Sequence, residues 1–126
     1  MSYLTAQDIL SADDIGVEDV EVPEWGGTVR VQGLNGQERD GFEAAMTEKR
    51  GKSYEANLSN IRAKLVARTV VDADGNRLFG DDQVSKLGKK SGAALERVFS
   101  VARRLSGMTS EDVEELAGNS ESDQND

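Results

Sequence analysis

The sequence contains no cysteine and no histidine among its 126 residues. These two absences exclude disulfide bonds, thiolate nucleophiles, imidazole acid–base catalysis and zinc sites built from the usual ligands. We therefore expect no catalytic residue, no metal site and no cofactor, and a protein that is not an enzyme. The absence of cysteine is compatible with a reducing cytoplasm, although many exported bacterial proteins also lack it.

Long hydrophobic runs are also absent. No stretch of about 18 consecutive apolar residues occurs, which argues against a membrane span. The segment Met1–Leu10 carries neither a basic run nor the apolar core of a signal peptide. We therefore expect a chain that is neither secreted nor membrane-spanning. A chain of 126 residues has room for one modest hydrophobic core, and a second independent domain is not expected.

Acidic residues outnumber basic ones, and the net charge is −9, but the two signs are unevenly distributed. Residues 1–25 and residues 111–126 each carry seven acids and no base. The ten remaining acids face all fifteen lysines and arginines, so the middle of the chain is net +5. Such a middle is typical of a solvated helical surface; the alternative is a docking face for an acidic partner. Nucleic-acid binding would need a denser basic stripe.

Between Val17 and Leu34, apolar and polar residues alternate on both sides of the sequence Pro-Glu-Trp-Gly-Gly. Alternation with period two around a glycine pair predicts a β-hairpin, because successive strand side chains point to opposite faces. Pro23, the only proline, is expected at a strand end or a sheet edge, since it cannot donate a ladder hydrogen bond. Before the hairpin, Thr5 followed by Asp8 predicts a short helix.

The middle of the chain predicts two helices separated by a basic break. Asn35 with Glu38 three positions later has the form of a capping box, and the helix that it begins is expected to reach Lys49. Arg50–Lys52 contains a glycine between two basic residues, which predicts the break, and Ser53 is expected to cap the next helix. The apolar face expected for this second helix comprises Leu58, Ile61, Leu65 and Val66.

Val70–Phe79 predicts a second short hairpin, because two apolar pairs bracket the turn-forming sequence Asp-Ala-Asp-Gly-Asn. The alternating acids superficially resemble a calcium loop. However, the glycine falls at the fourth loop position instead of the sixth, and Gln83 occupies the twelfth position, where a bidentate Glu is needed. A plain turn is the preferred interpretation. Asp81 is then expected to begin a brief helix that continues through Leu87.

A strong helix signal begins at Ser91 and ends at Gly107, with apolar residues at the i, i+3, i+4, i+7 spacing. Thr109 followed by Asp112 predicts a last short helix, which Gly118 ends. Residues 119–126 contain no apolar residue. Because burial cannot offset the entropy of ordering such a segment, we predict that this acidic C-terminal tail is disordered.

These elements predict an α+β fold that is mainly α. It comprises an N-terminal β-hairpin plus a small helical bundle with a second short hairpin, followed by the disordered acidic C-terminal tail. Residues 1–118 form a single predicted domain, and residues 119–126 form the tail. The pattern leaves open whether the two hairpins share one sheet.

Candidates for partner binding come from the few aromatic and long apolar side chains. Trp25, the only tryptophan, lies at the predicted hairpin tip, where it serves either as a core anchor or as an interface contact. The amphipathic helices are first of all core builders. With only 5% aromatic residues, however, part of a helical face can stay uncovered for a partner. The residues expected in this apolar strip are Leu95, Phe99, Val113 and Leu116.

Four stretches of the sequence follow one another in an order that resembles a known family. They are the hairpin Val20–Val31, the helix start Leu34–Phe42, the helix and turn Ala63–Phe79, and the closing pair of helices Ser91–Leu116. In this order they resemble the tail assembly chaperones of long-tailed, siphovirus-type bacteriophages, especially phages that infect actinobacteria. The resemblance covers about residues 17 to 118, most of the chain.

The resemblance implies a non-enzymatic role in tail morphogenesis. Such chaperones bind the long helical tape-measure protein, keep it soluble, help recruit tail-tube (major tail) protein subunits around it, and then leave. This chain is accordingly expected in the host cytoplasm during infection and not in the mature virion. In many of these phages a programmed ribosomal frameshift makes a longer product with the same N-terminal domain. That longer form of itself is a further expected partner, and the polar ending at residues 119–126 would fit the short product.

Two other classes stay open. A structural head–tail connector or tail-completion protein of the virion would suit the same small helical fold and tail. An acidic DNA mimic would carry acids throughout, whereas here the middle of the chain is net positive. We expect neither a nucleic acid nor a membrane among the partners.

Overall fold

The computed structural model describes residues 2–50, 53–56 and 60–109. The helices in this part of the chain are α1 (Ala6–Ser11), α2 (Gly36–Ala45), α3 (Ile61–Thr69), α4 (Val84–Leu87) and α5 (Gly92–Leu105). The strands are β1 (Val17–Val22), β2 (Gly27–Gln32), β3 (Thr47–Arg50), β4 (Ser53–Ala56) and β5 (Val70–Val71). Two 3₁₀ turns, Pro23–Trp25 and Asp81–Gln83, complete the elements. The α+β class is therefore confirmed.

Three of the strands form one antiparallel sheet in the order β1-β2-β5, and β3 pairs with β4 in a separate two-stranded sheet. In the larger sheet, Val17 lies opposite Gln32 and Val22 lies opposite Gly27, which confirms the predicted N-terminal hairpin. The other side of β2 pairs with β5, where Val31 lies opposite Val70. The segment that follows α3 thus joins the first hairpin in one sheet.

The helix that begins after Asn35 is capped as predicted. The Asn35 side chain accepts a hydrogen bond from the Glu38 backbone N–H at 2.8 Å, and the Glu38 carboxylate accepts one from the Asn35 N–H at 2.9 Å. The helix ends at Ala45, however, so the prediction that it reaches Lys49 is wrong. Met46 is fully buried, and the residues after it have no apolar period that a further helical turn would bury.

The prediction that Ser53 caps the next helix is also wrong, because Ser53–Ala56 is strand β4. β4 pairs with β3, with Arg50 opposite Ser53, so the basic break between them lies within a hairpin. The next helix, α3, instead begins at Ile61 after Asn60, whose backbone adopts the left-handed conformation with φ 58°. Leu58, expected on the apolar face, lies outside the described residues. The rest of that face is largely confirmed, since Leu65 and Val66 are fully buried and Ile61 is partly buried.

The second predicted hairpin is reduced to a turn with a single β-bridge, between Val71 and Arg77. An Asp72 carboxylate oxygen accepts hydrogen bonds from the backbone N–H groups of Asp74, at 2.8 Å, and Asn76, at 3.0 Å. Gly75 takes the positive φ of 86° that closes the turn. This Asx-type arrangement occupies a carboxylate oxygen of Asp72 with the chain's own backbone donors.

The predicted helix α5 is confirmed at both ends. The Ser91 hydroxyl accepts a hydrogen bond from the Ala94 N–H at 3.2 Å. At the other end, Gly107 has φ 74°, and the Gly107 and Met108 N–H groups bond to the carbonyls of Arg104 and Arg103. This is a Schellman motif, which ends a helix by satisfying its last carbonyls. The predicted last helix, with Val113 and Leu116, and the predicted tail lie outside the described residues.

The core lies between the three-stranded sheet and helices α3 and α5. Its fully buried side chains include Val22 and Val31 of the hairpin, Leu65 and Val66 of α3, and Val98 of α5. Both hairpin strands contact α5, and α3 packs against α5. Within the described residues, no helix is long and apolar enough to cross a membrane.

Two contacts hold the end of the hairpin opposite its tip against the C-terminal end of α5. Gly33 lies so close to the backbone of Leu105 that a Cβ at this position would lie 2.9 Å from the Leu105 carbonyl carbon. The buried backbone N–H of Leu34 also donates to the Ser106 hydroxyl at 2.9 Å. Glycine is therefore required at residue 33 by the close approach of two backbones.

Ion pairs connect the hairpin to α5 at two further points. The Arg97 guanidinium donates two hydrogen bonds to the Glu24 carboxylate, at 2.5 and 3.0 Å, near the hairpin tip. Two helical turns further on, Arg104 donates to Glu18 at 2.8 Å. The Arg97 hydrogen bond holds the pKa of Glu24 below its ordinary value. Both pairs are solvent-exposed, so they mainly fix the orientation of the hairpin.

Replacing Gly33 with Ala is expected to lower the free energy of unfolding by about 1–3 kcal/mol, because the new Cβ meets the Leu105 backbone, which cannot rotate away. Gly36→Ala is the matched control. Gly36 is the first residue of α2 with nothing near its Cβ position, so alanine should leave stability unchanged or raise it by up to about 1 kcal/mol. Urea unfolding followed by circular dichroism measures both values. Equal stabilities of the two variants would contradict the close contact.

Glu24→Gln removes the carboxylate that Arg97 binds. Because the pKa of Glu24 is lowered from 4.5 in the folded protein, this contact stabilises the fold above pH 4.5 and is lost as the pH falls through the folded pKa. We therefore expect the variant to unfold at lower urea than the native protein at pH 7, and the difference to shrink as the pH falls below 4.5. Glu21→Gln is the control, because Glu21 is exposed and has no ion-pair partner among the described residues. A pH-independent difference for Glu24→Gln would contradict this account.

Candidate functional site

An open cleft of about 550 Å³ lies between the hairpin tip and the segment that runs from Phe79 through α4 to Lys90. We call it the Trp25 cleft. Its lining residues are Glu24, Trp25, Phe79, Gln83, Lys86, Leu87 and Lys90. The volume falls within the range of roughly 300–1,000 Å³ that is typical of ligand-binding pockets.

Trp25 lies at the hairpin tip, as predicted, and the local backbone fixes its position. Pro23 begins the 3₁₀ turn that contains Trp25, and its ring presets the backbone φ there. Gly26 ends the turn in the left-handed conformation, with φ 76°, and its N–H donates to the Pro23 carbonyl. The Trp25 side chain is partly buried against the core. Among the described residues, its indole N–H has no hydrogen-bond acceptor.

The apolar floor of the cleft is completed by Phe79 and Leu87. Phe79 is partly buried against the core, and Leu87 is buried. The intervening 3₁₀ turn is fixed by the side chain of Gln83, which accepts a hydrogen bond from the Gly80 N–H at 3.0 Å. The two partly buried aromatic rings thus form an apolar surface that stays partly open to solvent, and the buried Leu87 also lines it.

The rim of the cleft is cationic. Lys86 and Lys90 are exposed, and neither has an ion-pair partner among the described residues. The one acid on the rim, Glu24, is held by Arg97, which also has a raised pKa because of this hydrogen bond. The rim therefore offers two unpaired positive charges beside an apolar floor. The basic middle of the chain left a docking face for an acidic partner as the alternative to a solvated surface, and that alternative stays a prediction.

The chemistry of the cleft favours recognition of another chain. An apolar floor with aromatic side chains can bury apolar anchor residues, and lysines at the rim can pair with carboxylates beside those anchors. Within the described residues, no group of three or more acidic side chains is placed to hold a metal ion. The lining contains no nucleophilic hydroxyl or thiol.

The structure places two other predicted binding residues, Leu95 and Phe99, away from the surface. Leu95 and Phe99 are 5% and 6% exposed and belong to the core, and the Arg62 guanidinium lies over the Phe99 ring at 5.6 Å from its centroid. Val113 and Leu116 lie outside the described residues. The proposed role of this apolar strip in partner binding stays a prediction. Of the three predicted residues that the structure describes, Trp25 is the one that lies in the cleft.

Sequence reasoning missed Phe79, Leu87 and the two rim lysines as site residues. The signal available for them was weak, since Lys86 and Lys90 are four positions apart within an ordinary run of polar residues. They meet Trp25 only because β5 pairs with β2 and thereby directs the following segment towards the hairpin tip. That contact joins residues more than 50 positions apart in sequence.

Comparison with known proteins gives two matches that agree with each other. In a solved structure, the tail assembly chaperone of bacteriophage HK97 has a similar fold, with a TM-score of 0.52 and 17% sequence identity. That match covers 79% of this chain and 94% of the HK97 chain. No curated protein sequence matches. A sequence model of the phage tail assembly chaperone family matches residues 7–119. Since this match spans most of the sequence, the chain belongs to the phage tail assembly chaperone family.

Proposed function

We propose that this chain binds the tape-measure protein of its phage, keeps it soluble and helps recruit tail-tube subunits around it. Membership of the tail assembly chaperone family supports this role. The observation that carries the proposal is the Trp25 cleft, an open apolar surface with a cationic rim. The function is non-enzymatic, and the phage is proposed to be a siphovirus that infects actinobacteria.

The cleft suits a helical segment of the tape-measure protein. Helices are held in grooves by apolar side chains spaced three or four residues apart, and a floor of two aromatic rings and a leucine offers places for such anchors. The open shape of the cleft lets a helix lie across it. Partial burial of Trp25 and Phe79 keeps their rings in place before the partner arrives, which lowers the entropic cost of binding.

The rim gives the interaction a preferred sequence. Lys86 and Lys90 are expected to pair with Asp or Glu side chains that flank the anchors on the tape-measure helix. The acidic ends of the chain lie elsewhere in the sequence and raise the net negative charge of the complex. A net charge of −9 on each chaperone favours solubility of an otherwise aggregation-prone partner.

The apolar strip extends the same proposal. Leu95 and Phe99 are buried, so they would support the binding face from within the core. Direct contact is proposed for Val113 and Leu116. A longer frameshifted product that shares this domain is proposed as a further partner. The chain is proposed to act in the host cytoplasm and to be absent from the mature virion.

Co-expression with fragments of the cognate tape-measure protein tests the proposal. The native chain should keep the fragments in the soluble fraction and co-purify with them. The double variant Lys86→Glu/Lys90→Glu should bind about tenfold more weakly, because two attractive contacts at an exposed rim become repulsive. Lys89→Glu is the matched control, since Lys89 is an exposed neighbour that does not line the cleft. It should bind like the native chain.

Two results would count against the proposal. If no fragment is solubilised or co-purifies, tape-measure binding is wrong. If all variants bind equally, binding occurs at another surface. Mass spectrometry of purified virions separates this role from that of a head–tail connector or tail-completion protein, because such a structural component would be present in every particle.

A further inference from the structure

The larger sheet has one covered edge and one free edge. On the covered side, the chain that follows β5 turns back along it, since the Leu78 N–H donates to the Val70 carbonyl at 3.1 Å and Val71 forms a β-bridge with Arg77. β1 lies at the opposite edge, because the strand order is β1-β2-β5. All residues of β1, Val17–Val22, pair with β2 in one unbroken register. The outer side of β1 therefore has no neighbouring strand among the described residues.

The register shows which backbone groups of β1 face outwards. The Gly33 N–H donates to the Gly16 carbonyl at 2.9 Å, in the same register as the strand pairs. In an antiparallel pair, hydrogen-bonded and non-hydrogen-bonded residue pairs alternate. Val17, Asp19 and Glu21 are therefore the residues whose N–H and C=O groups point away from β2. No described residue outside the hairpin forms a backbone hydrogen bond with these three donors and three acceptors.

The free edge is accessible and lacks the features that usually block an edge. Its three outward residues are exposed, Val17 by 51%. Natural edges are commonly blocked by a proline, a bulge, a lysine or a covering helix, and β1 contains none of the first three. Helix α1 precedes β1 in sequence, but none of its residues is buried and it makes no backbone hydrogen bond with β1. Such an edge is a template for one more strand.

The charge of the edge determines which strand fits. β1 contains three acids and no base. Asp19 pairs with Arg30 at 3.1 Å, and Glu18 pairs with Arg104 at 2.8 Å. Glu21, in contrast, has no ion-pair partner in the part of the chain that the structure describes. Its carboxylate therefore lies beside the free backbone groups, where a basic side chain of an added strand can pair with it.

A second copy of β1 fits this edge poorly. Antiparallel self-pairing centred on Asp19 would place two copies of that carboxylate opposite each other, and like charges directly opposite destabilise a strand pair. The residues just before the strand include Asp13 and Asp14, both exposed and without an ion-pair partner within the described ranges. The electrostatic potential along the edge is therefore negative, which disfavours a second acidic strand and favours a basic one.

We propose that the free edge of β1 binds an extended, basic segment of a partner protein by β-strand addition. The partner strand lies antiparallel to β1, with a lysine or arginine opposite Glu21 and a β-branched residue opposite Val17. Main-chain hydrogen bonds supply the affinity, and alternate side chains supply the specificity. This site is additional to the function proposed above. None of the residues that line the Trp25 cleft belongs to β1, so one molecule can hold a helix and a strand at the same time.

A defined peptide tests the site on the full chain. The peptide acetyl-Thr-Lys-Val-Lys-Thr-Val-Thr-amide places lysines opposite Glu21 and Asp19 and a valine opposite Val17. In hydrogen-exchange measurements by NMR, saturating peptide should slow exchange of these three amides about tenfold. The matched peptide with both lysines replaced by glutamate should bind about tenfold more weakly, because its charges repel the edge.

Three results of the peptide experiment would overturn the proposal. The first is no detectable binding of the basic peptide, or equal affinity of the two peptides. The second is binding that leaves the exchange of the Val17, Asp19 and Glu21 amides unchanged. The third is slow exchange of these amides in the chain without peptide, because the edge would then be occupied already, by a second copy or by another part of the same chain.

Substitutions in β1 separate the backbone contribution from the charge. Asp19→Pro removes an outward N–H and leaves the bonds to β2 in place, so it should weaken binding of the basic peptide about tenfold. Asp19→Ala is the matched control. It loses the same exposed ion pair with Arg30 but keeps the N–H, so its affinity should stay within about threefold of the native value.

Glu21→Lys tests the charge, and it should reverse the preference between the basic and the acidic peptide. Circular dichroism checks that each variant is folded. Equal binding of the basic peptide by Asp19→Pro and Asp19→Ala would overturn the proposal, as would a folded Glu21→Lys variant that still prefers the basic peptide.

Discussion

The backbone contact between Gly33 and the end of α5 is the constraint on which the rest of the structure depends. It brings the open end of the hairpin against Leu105, and the neighbouring Leu34 N–H is satisfied by the Ser106 hydroxyl. At the other end, Arg97 holds Glu24 beside the tip. A hairpin fixed at both ends on one helix cannot pivot, so Trp25 keeps its place opposite the segment that ends α4. The Trp25 cleft exists because of this attachment.

The same attachment explains how a small chain with few aromatic residues can form the open apolar surface that we propose for binding. Val22 and Val31 fill the core on one face of the hairpin, and the tip carries the tryptophan past the end of that core. Phe79 and Leu87, which belong to the segment after β5, line the same cleft. The rigid elements hold the rings, while the charged rim lies on exposed lysines that can adjust to a partner. An apolar floor and a charged rim are sufficient for the proposed recognition of another chain.

Local sequence signals predicted the local structure well. The capping pairs Thr5–Asp8 and Asn35–Glu38, the hairpin around Pro23 and the helix after Ser91 are all set by neighbours within a few residues. The prediction failed where local signals compete. Ser53 is a good helix cap, but the residues between Met46 and Ile61 lack a clear apolar period, and pairing of Thr47–Arg50 with Ser53–Ala56 prevails there. The cleft was predictable only through Trp25, since its other walls depend on the β2–β5 pairing.

If a partner helix binds in the Trp25 cleft, as proposed, the emission of the single tryptophan reports that contact directly. Acrylamide quenching of Trp25 emission can be followed while a soluble helical fragment of the tape-measure protein is added. Quenching is expected to fall, and the emission to shift to shorter wavelength, as the fragment saturates the cleft and covers the ring. Binding of the fragment, detected independently, with unchanged emission and quenching would contradict this proposal.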